Sequence, residues 1–160
     1  MDKKLLIQEI IDRLTLDQQL LFQAANTAHQ AATDPENLPD NKYETLALES
    51  SYVAQGQANR AQEIVKAINV YRTLSGRSFT SQDQVFLTAY MVIESSKGIH
   101  RSIFLGPAAG GLKFDHNGAE VVVITPDSPL GKDLLGKQVG DVIELVVDGS
   151  LIEYELIELC

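Results

Sequence analysis

Near the start of the chain, apolar residues recur at helical spacing, and no glycine or proline interrupts the pattern from Lys3 to Thr33. Read on a heptad register, the pattern predicts one long helix with a buried seam. The seam residues are Ile7, Ile10, Leu14, Asp17, Leu21, Ala24, Ala28 and Ala31.

A second helical pattern starts near Asp40 or Asn41, either of which can cap a helix, and ends near Ser75-Gly76. Its seam residues are Tyr43, Ala47, Ser50, Ala54, Gln57, Ala61, Ile64, Ile68 and Tyr71. Because Pro35 stops the first helix, we expect residues 1–76 to form an antiparallel coiled-coil hairpin. The small seam residues near its turn let the helices approach closely, so the distal half should be slender.

Residues 77–160 have a different pattern, in which short runs of β-branched residues predict strands. The predicted strands are 85–94, 99–105, 120–125, 142–147 and 151–159. A short helix is predicted between the third and fourth strands, with Ser128 as cap, Pro129 at its first position and Gly136 at its end. The turn Asp148-Gly149 predicts a hairpin. The expected fold class is α+β, a helical hairpin followed by an antiparallel sheet domain with one short helix.

The connection between the two long helices, residues 34–40, has the sequence DPENLPD and contains the carboxylates of Asp34, Glu36 and Asp40. Carboxylates crowded at the tip of a thin hairpin repel one another unless a divalent ion or a basic partner neutralises them. The alternative is a solvated loop whose acids keep the chain soluble.

Charge and composition limit the function classes. The net charge is −9, and we see no basic stripe, so nucleic-acid binding is not expected as the main activity. The apolar runs are short, which argues against a membrane span, and the N-terminal stretch lacks a signal-peptide core. The single cysteine, Cys160, leaves no intramolecular disulfide, and a cytoplasmic location is expected. Three scattered histidines and the lack of a nucleophile set predict neither an intrinsic cofactor nor an enzyme.

The stretch VVITPDSPLGKDLLGKQVGDVIELVVDGSLIEYELIEL, residues 122–159, resembles the end of the C-terminal domain of the Gre family of bacterial transcription elongation factors. The segment SPLGKDLLGKQVGD carries most of the specificity. The N-terminal resemblance is looser but has the same order: a long helix, an acidic turn, and NKYETLALESSYVAQGQANR on the returning helix. This resemblance implies an N-terminal coiled coil and an FKBP-like C-terminal sheet domain.

The resemblance also implies a monomeric accessory factor that binds bacterial RNA polymerase. The globular domain would dock at the rim of the secondary channel, and the tip acids would help hold a second Mg²⁺ and its water. The polymerase would then cleave its own backtracked transcript. The candidate docking residues are Asp127, Ser128, Pro129 and Leu130, which lie in the best-matched segment. Alternatively, this segment serves only the fold of the domain, by capping and turning the chain.

The tip departs from the family pattern, which is an acid, two residues, a second acid, then Asn and a nearby Tyr. Here NLPDNKY places Asn37 at the first acid and Asp40 at the second, whereas Asn41 and Tyr43 fit. An amide is a weaker Mg²⁺ ligand than a carboxylate and cannot act as a base. Asp40 is therefore the candidate metal ligand, and Asp34 or Glu36 could replace the missing acid.

Three other functions are considered. A non-cleaving regulator would occupy the secondary channel without shortening the transcript, and a coiled-coil dimerisation module would form dimers without retaining polymerase. A prolyl isomerase would use the FKBP-like fold, but fold alone does not carry that activity. The aromatic residues available for such a pocket are Phe79, Phe86, Tyr90, Phe104, Phe114 and Tyr154.

Overall fold

The computed structural model describes residues 1–33 and 41–160, with the backbone alone at residues 28, 32, 33, 41–47 and 50. In chain order the elements are α1 (Lys3–Thr33), α2 (Asn41–Arg72), β1 (Tyr90–Ser95), β2 (His100–Leu105), β3 (Lys113–His116), β4 (Ala119–Ile124), α3 (Pro129–Leu134), β5 (Val142–Val147) and β6 (Ser150–Leu159). The predicted fold class, a helical hairpin followed by a sheet domain with one short helix, is confirmed.

Two compact units make up the chain: Met1–Ile10 with Val70–Cys160, and Ile11–Asn69. The first unit contains the sheet, the start of α1 and the end of α2. The second contains most of both long helices. The domain boundary at residue 76 stays a prediction.

The buried positions of the helical unit follow a straight helix better than a heptad. Leu14 is buried as predicted, but Ala24 and Ala31 are exposed, and Ala25 is buried instead. Leu14 and Ala25 are three turns apart at about 3.6 residues per turn, whereas a strict heptad register drifts by about 20° in each repeat. The seam predicted for α1 is therefore wrong beyond its middle. On α2 the buried positions Ala54, Ala61 and Ile68 agree with the prediction.

The sheet has six strands in the order β3-β4-β2-β1-β6-β5. Every neighbouring pair is antiparallel except β2 and β4, so the sheet is mixed rather than purely antiparallel. The reason is β3, which the sequence did not predict. This strand pairs with β4 as a hairpin and thereby turns β4 parallel to β2.

The first predicted strand starts later than expected. Residues 85–94 were predicted to be extended, but β1 begins at Tyr90, because the chain turns just before it. The amide of Ala89 donates to the carbonyl of Phe86 at 3.0 Å, and Thr88 has a φ of 72°. That left-handed conformation is incompatible with a continuous strand.

One buried cluster forms the core of the sheet unit. It comprises Phe79, Val85, Ala89, Met91, Ile93, Ile103, Leu105, Leu134, Ile143, Tyr154, Leu156 and Leu159. Leu134 is the contribution of α3, so the short helix covers one face of the sheet. None of the helices in the described ranges is both long enough and apolar enough to span a membrane.

Candidate docking loop

The acidic tip predicted as a metal site lies outside the described residues. This applies to Asp34, Glu36, Asn37 and Asp40. Asn41 and Tyr43 belong to the first turns of α2, but their side chains are also outside the described part. The tip therefore stays a prediction, as does Asp40 as its metal ligand.

Ser128 organises the candidate docking loop, which we define as residues 125–136. Its Oγ accepts a hydrogen bond from the amide of Gly131 at 3.0 Å, which caps α3. The same hydroxyl donates to the carbonyl of Thr125 at 2.7 Å. With φ −68° and ψ 155°, Ser128 has the extended backbone typical of a helix cap. The side chain of Ser128 is thus committed to folding the loop.

Gly131 allows the loop to close tightly on itself. A Cβ at this position would lie 1.9 Å from the carbonyl oxygen of Thr125. Real Cβ atoms do not approach a backbone oxygen this closely, so a larger residue would force the loop open. The glycine in SPLGK is therefore explained by local packing.

Backbone hydrogen bonds fix the end of the loop to the segment before β1. The amide of Gly136 donates to the carbonyl of Val85 at 2.9 Å, and the amide of Val85 donates to the carbonyl of Lys137 at 2.8 Å. Leu134 is fully buried and Leu130 packs partly against the same core. The hydrogen bonds thus hold the chain after α3, and the two leucines hold α3 itself against the core.

Asp127 and Pro129 are the exposed members of the predicted docking set. The pKa of Asp127 is lowered, chiefly by a hydrogen bond from the Thr125 side chain, then by its own backbone amide, with a smaller contribution from Lys132. The loop therefore presents an exposed negative charge beside a rigid proline. Of the four predicted residues, Ser128 and Leu130 have structural roles, and Asp127 and Pro129 are available to a partner.

Lys3 was missed by the sequence reasoning. Its side chain is 7% exposed, and its Nζ donates to the carbonyl of Thr88 at 2.6 Å and to the backbone oxygen of Cys160. The same Nζ lies 5.3 Å from the ring centroid of Phe79 and 5.9 Å from that of Phe104. Burial lowers the pKa of Lys3 to about 8, and a charge at Cys160 acts in the opposite direction. Lys3 lies one helical turn before Ile7, on the same face of α1, but a lysine at that position gives no signal in the sequence that it is buried.

His116 is buried and engaged through both ring nitrogens. Its Nδ1 lies 2.5 Å from Glu9 Oε2, and its Nε2 lies 3.1 Å from the side-chain amide of Asn117. These contacts join the start of α1 to the β3–β4 hairpin. Among the described residues, no group of three or more His, Cys, Asp or Glu side chains could hold a metal ion.

The glycine-rich loop of residues 106–111 encloses the hydroxyl of Tyr71. That hydroxyl donates to the carbonyl of Ala108 at 2.8 Å, and a Cβ at Gly106 would lie 2.1 Å from it. Burial raises the pKa of Tyr71. The loop has a structural role, in line with the absence of a phosphate-binding motif in its sequence.

Comparison with known proteins gives similarity to solved structures alone, since no family model and no curated protein matches the chain. The GreA factor homolog 1 (Gfh1) protein of Thermus thermophilus is 18% identical, with a TM-score of 0.40, over 96% of this chain and 94% of that one. Gfh1 of Thermus aquaticus is 20% identical, with a TM-score of 0.40, over 95% and 92%. A prokaryotic transcription elongation factor GreA/GreB from Nitrosomonas europaea is 18% identical, with a TM-score of 0.40, over 65% and 78%. Similarity at this level does not establish a common family.

Proposed function

We propose that the chain binds bacterial RNA polymerase and inserts its helical hairpin into the secondary channel, where Asp40 lends a carboxylate to a second Mg²⁺. The observation that carries this proposal is the sequence of residues 122–159, which resembles the Gre C-terminal domain. In this arrangement the chain has no active site of its own, and the polymerase cleaves its backtracked transcript.

The docking loop supports the proposal by its construction. Ser128 and Gly131 shape the loop, and the core holds it through Leu134, so that Asp127 and Pro129 stand outward at fixed positions. A rigid surface loses little conformational entropy on binding. An exposed aspartate whose lowered pKa keeps it ionised suits a basic patch on the polymerase.

Retention of purified polymerase on the immobilised chain tests docking. We expect Asp127→Ala to weaken retention several-fold, because complementary charges at an interface speed association and fix the docked orientation. Glu120→Ala is the control, since Glu120 is an exposed acid on β4, outside the docking loop. If both variants retain polymerase equally well, the docking loop is excluded as the binding surface. If the unmodified chain retains no polymerase, polymerase binding itself is excluded.

A stalled, backtracked polymerase complex tests cleavage. We expect the chain to shorten the transcript and Asp40→Ala to abolish this while leaving retention unchanged. Glu49→Ala is the control, since Glu49 is an exposed acid on α2. Transcript shortening by Asp40→Ala at the unmodified rate would remove Asp40 from the mechanism.

A second candidate is a non-cleaving regulator that occupies the same channel. Asn37 favours it, because an amide stands where the family pattern has its first acid. This function predicts retention of polymerase without transcript shortening, and competition with factors that do stimulate cleavage.

A further inference from the structure

Strand β5 is the last strand of the sheet, and within the described ranges no strand pairs with its outer side. Asp148 and Gly149 both have positive φ, 51° and 77°, which gives a two-residue type I′ turn. The residues that flank such a turn, Val147 and Ser150, form a hydrogen-bonded pair, and the pairs alternate from there. The backbone N–H and C=O groups of Val142, Glu144 and Val146 therefore point away from β6, along the edge of the sheet.

Apart from the charge of Glu144, the edge of β5 lacks the features by which proteins usually prevent pairing with another strand. Its sequence, VIELVV, has no lysine and no proline, and it pairs with β6 in an unbroken register. At the opposite edge, β3 is only four residues long, and Lys113 forms an ion pair with Glu120 at 2.9 Å. One edge of the sheet is thus protected and the other is open.

Exposed apolar side chains accompany the open edge. Val142 is 50% exposed and Val146 is 72% exposed. Leu151, directly opposite Val146 on β6, is 62% exposed. An incoming strand could cover these side chains as well as the edge hydrogen-bonding groups.

Like charges face each other on the same face of the sheet. Glu144 lies opposite Glu153, and Glu155 lies opposite Glu94. Glu94 has an ion-pair partner in His100, but in the part of the chain that is described no lysine or arginine pairs with the other three. Directly opposed like charges destabilise a sheet, and cations placed between them would relieve the repulsion.

We propose that the edge of β5 is a docking site for an extended, basic segment of a partner protein, which adds to the sheet as a further strand. On the face of the sheet that carries Glu144, a lysine or arginine of this segment would lie near Glu144 and Glu153, and an apolar residue two positions along would lie near Val146 and Leu151. A second copy of this chain is the wrong occupant, because antiparallel self-pairing about Glu144 would bring two more acids together. The surface differs from the docking loop, so the proposal does not depend on polymerase binding.

A labelled peptide is the probe, mixed with the ¹⁵N-labelled chain. Lysine and valine alternate at every second position, on one face of the extended peptide, and threonine fills the positions between them. Binding should shift the amide signals of Val142, Glu144 and Val146, whose N–H groups point outward. The amides of Ile143 and Leu145, which bond to β6, should shift less. Shifts without this alternation, or shifts centred on residues 125–136, would overturn the proposal without the need for any variant.

Two variants and a matched control extend the test by fluorescence anisotropy. We expect Glu144→Lys to weaken peptide binding at least about fivefold, the factor equivalent to about 1 kcal/mol for a cross-strand charge pair. Val146→Pro removes one outward N–H and keeps the pairing with β6, so it should weaken binding while the far-ultraviolet circular dichroism stays unchanged. Glu120→Lys, at the protected edge, should have little effect.

Control peptides separate the possible causes of binding. A peptide with glutamate in place of lysine should not bind, and a proline at the centre of the lysine peptide should prevent binding. Equal binding of the glutamate peptide would overturn the assigned charge of the partner. Self-association of the chain that Val146→Pro abolishes would assign the edge to a second copy and would also overturn the proposal.

Discussion

At the scale of single residues, Lys3 links stability to pH. Its pKa is about 8 in the folded chain, against 10.5 in the absence of burial. Between these values the unfolded chain binds more protons, so the free energy of unfolding should rise with pH from about 8 towards 10. The corresponding stabilisation is lost as pH falls from about 10 towards 8, and it is absent below 8, where the folded chain buries a charged amine.

The variant Lys3→Met isolates this contribution. We expect the rise in unfolding free energy above pH 8 to disappear in the variant, as measured by urea denaturation across that range. Tyr71, with its raised pKa, acts in the opposite direction above about pH 10, where an unfolded tyrosine ionises. Its effect is common to both proteins and cancels in their difference. A parallel pH dependence of the two proteins would show that folding does not lower the pKa of Lys3.

Ser128 offers a second prediction at this scale. Replacing it with alanine removes the cap of α3 and the bond to the Thr125 carbonyl, which should cost about 1 kcal/mol of unfolding free energy. The control is Ser81→Ala, at an exposed serine of the same unit, which should change stability by less than about 0.5 kcal/mol. An equal effect of both substitutions would contradict the capping role.

Ser128 could be recognised from the sequence and Lys3 could not, for a physical reason. A cap is local: Ser128, Pro129 and Gly131 lie within one turn of each other and act on the same backbone groups. Lys3 depends on groups far along the chain, the carbonyl of Thr88 and the ring of Phe104. A buried lysine can be inferred only once those groups are known to lie together.

At the scale of elements, Gly56 offers a test of helix propensity, because it lies inside α2. A Cβ there would meet no atom within 4 Å. Gly56→Ala should therefore raise stability by up to about 1 kcal/mol, through the helix propensity of alanine. Thermal unfolding followed by circular dichroism measures this change.

Gly98→Ala is the control, because it makes the same chemical change in equally open space but at a φ of +75°. It should destabilise by about 1 kcal/mol, since left-handed backbone is unfavourable for alanine. Destabilisation by Gly56→Ala would indicate instead that another group needs the space beside that glycine.

The elements predicted correctly are those with strong signals in their own sequence. The long apolar period predicted α1 with the bounds that the structure has, Lys3–Thr33, and the turn Asp148-Gly149 predicted the β5–β6 hairpin. The elements missed depend on partners: β3 has only four residues, alternately buried and exposed, and becomes a strand by pairing with β4. The burial of Ala25 was missed as well. It follows from the period of about 3.6 residues in an α-helix, whereas the prediction assumed a heptad.

At the scale of the whole molecule, the acidic character of the chain fits a protein that acts on another protein. The net charge of −9 does not favour direct contact with nucleic acid. Two separate surfaces are proposed to use this charge: Asp127 on the docking loop, and the glutamates beside β5. The tip acids, outside the described residues, are assigned to a metal by the resemblance alone.

The substitution Asn37→Asp separates the two functions considered for the whole molecule. A carboxylate is a better Mg²⁺ ligand than an amide. If the tip reaches the polymerase metal, the polymerase should therefore cleave its backtracked transcript about tenfold faster with the variant, equivalent to about 1.4 kcal/mol. Asn41→Asp adds the same charge where the family pattern keeps Asn, and should give no such gain. Equal gains would indicate a general charge effect, and no gain by a variant that still binds polymerase would place the tip away from the metal.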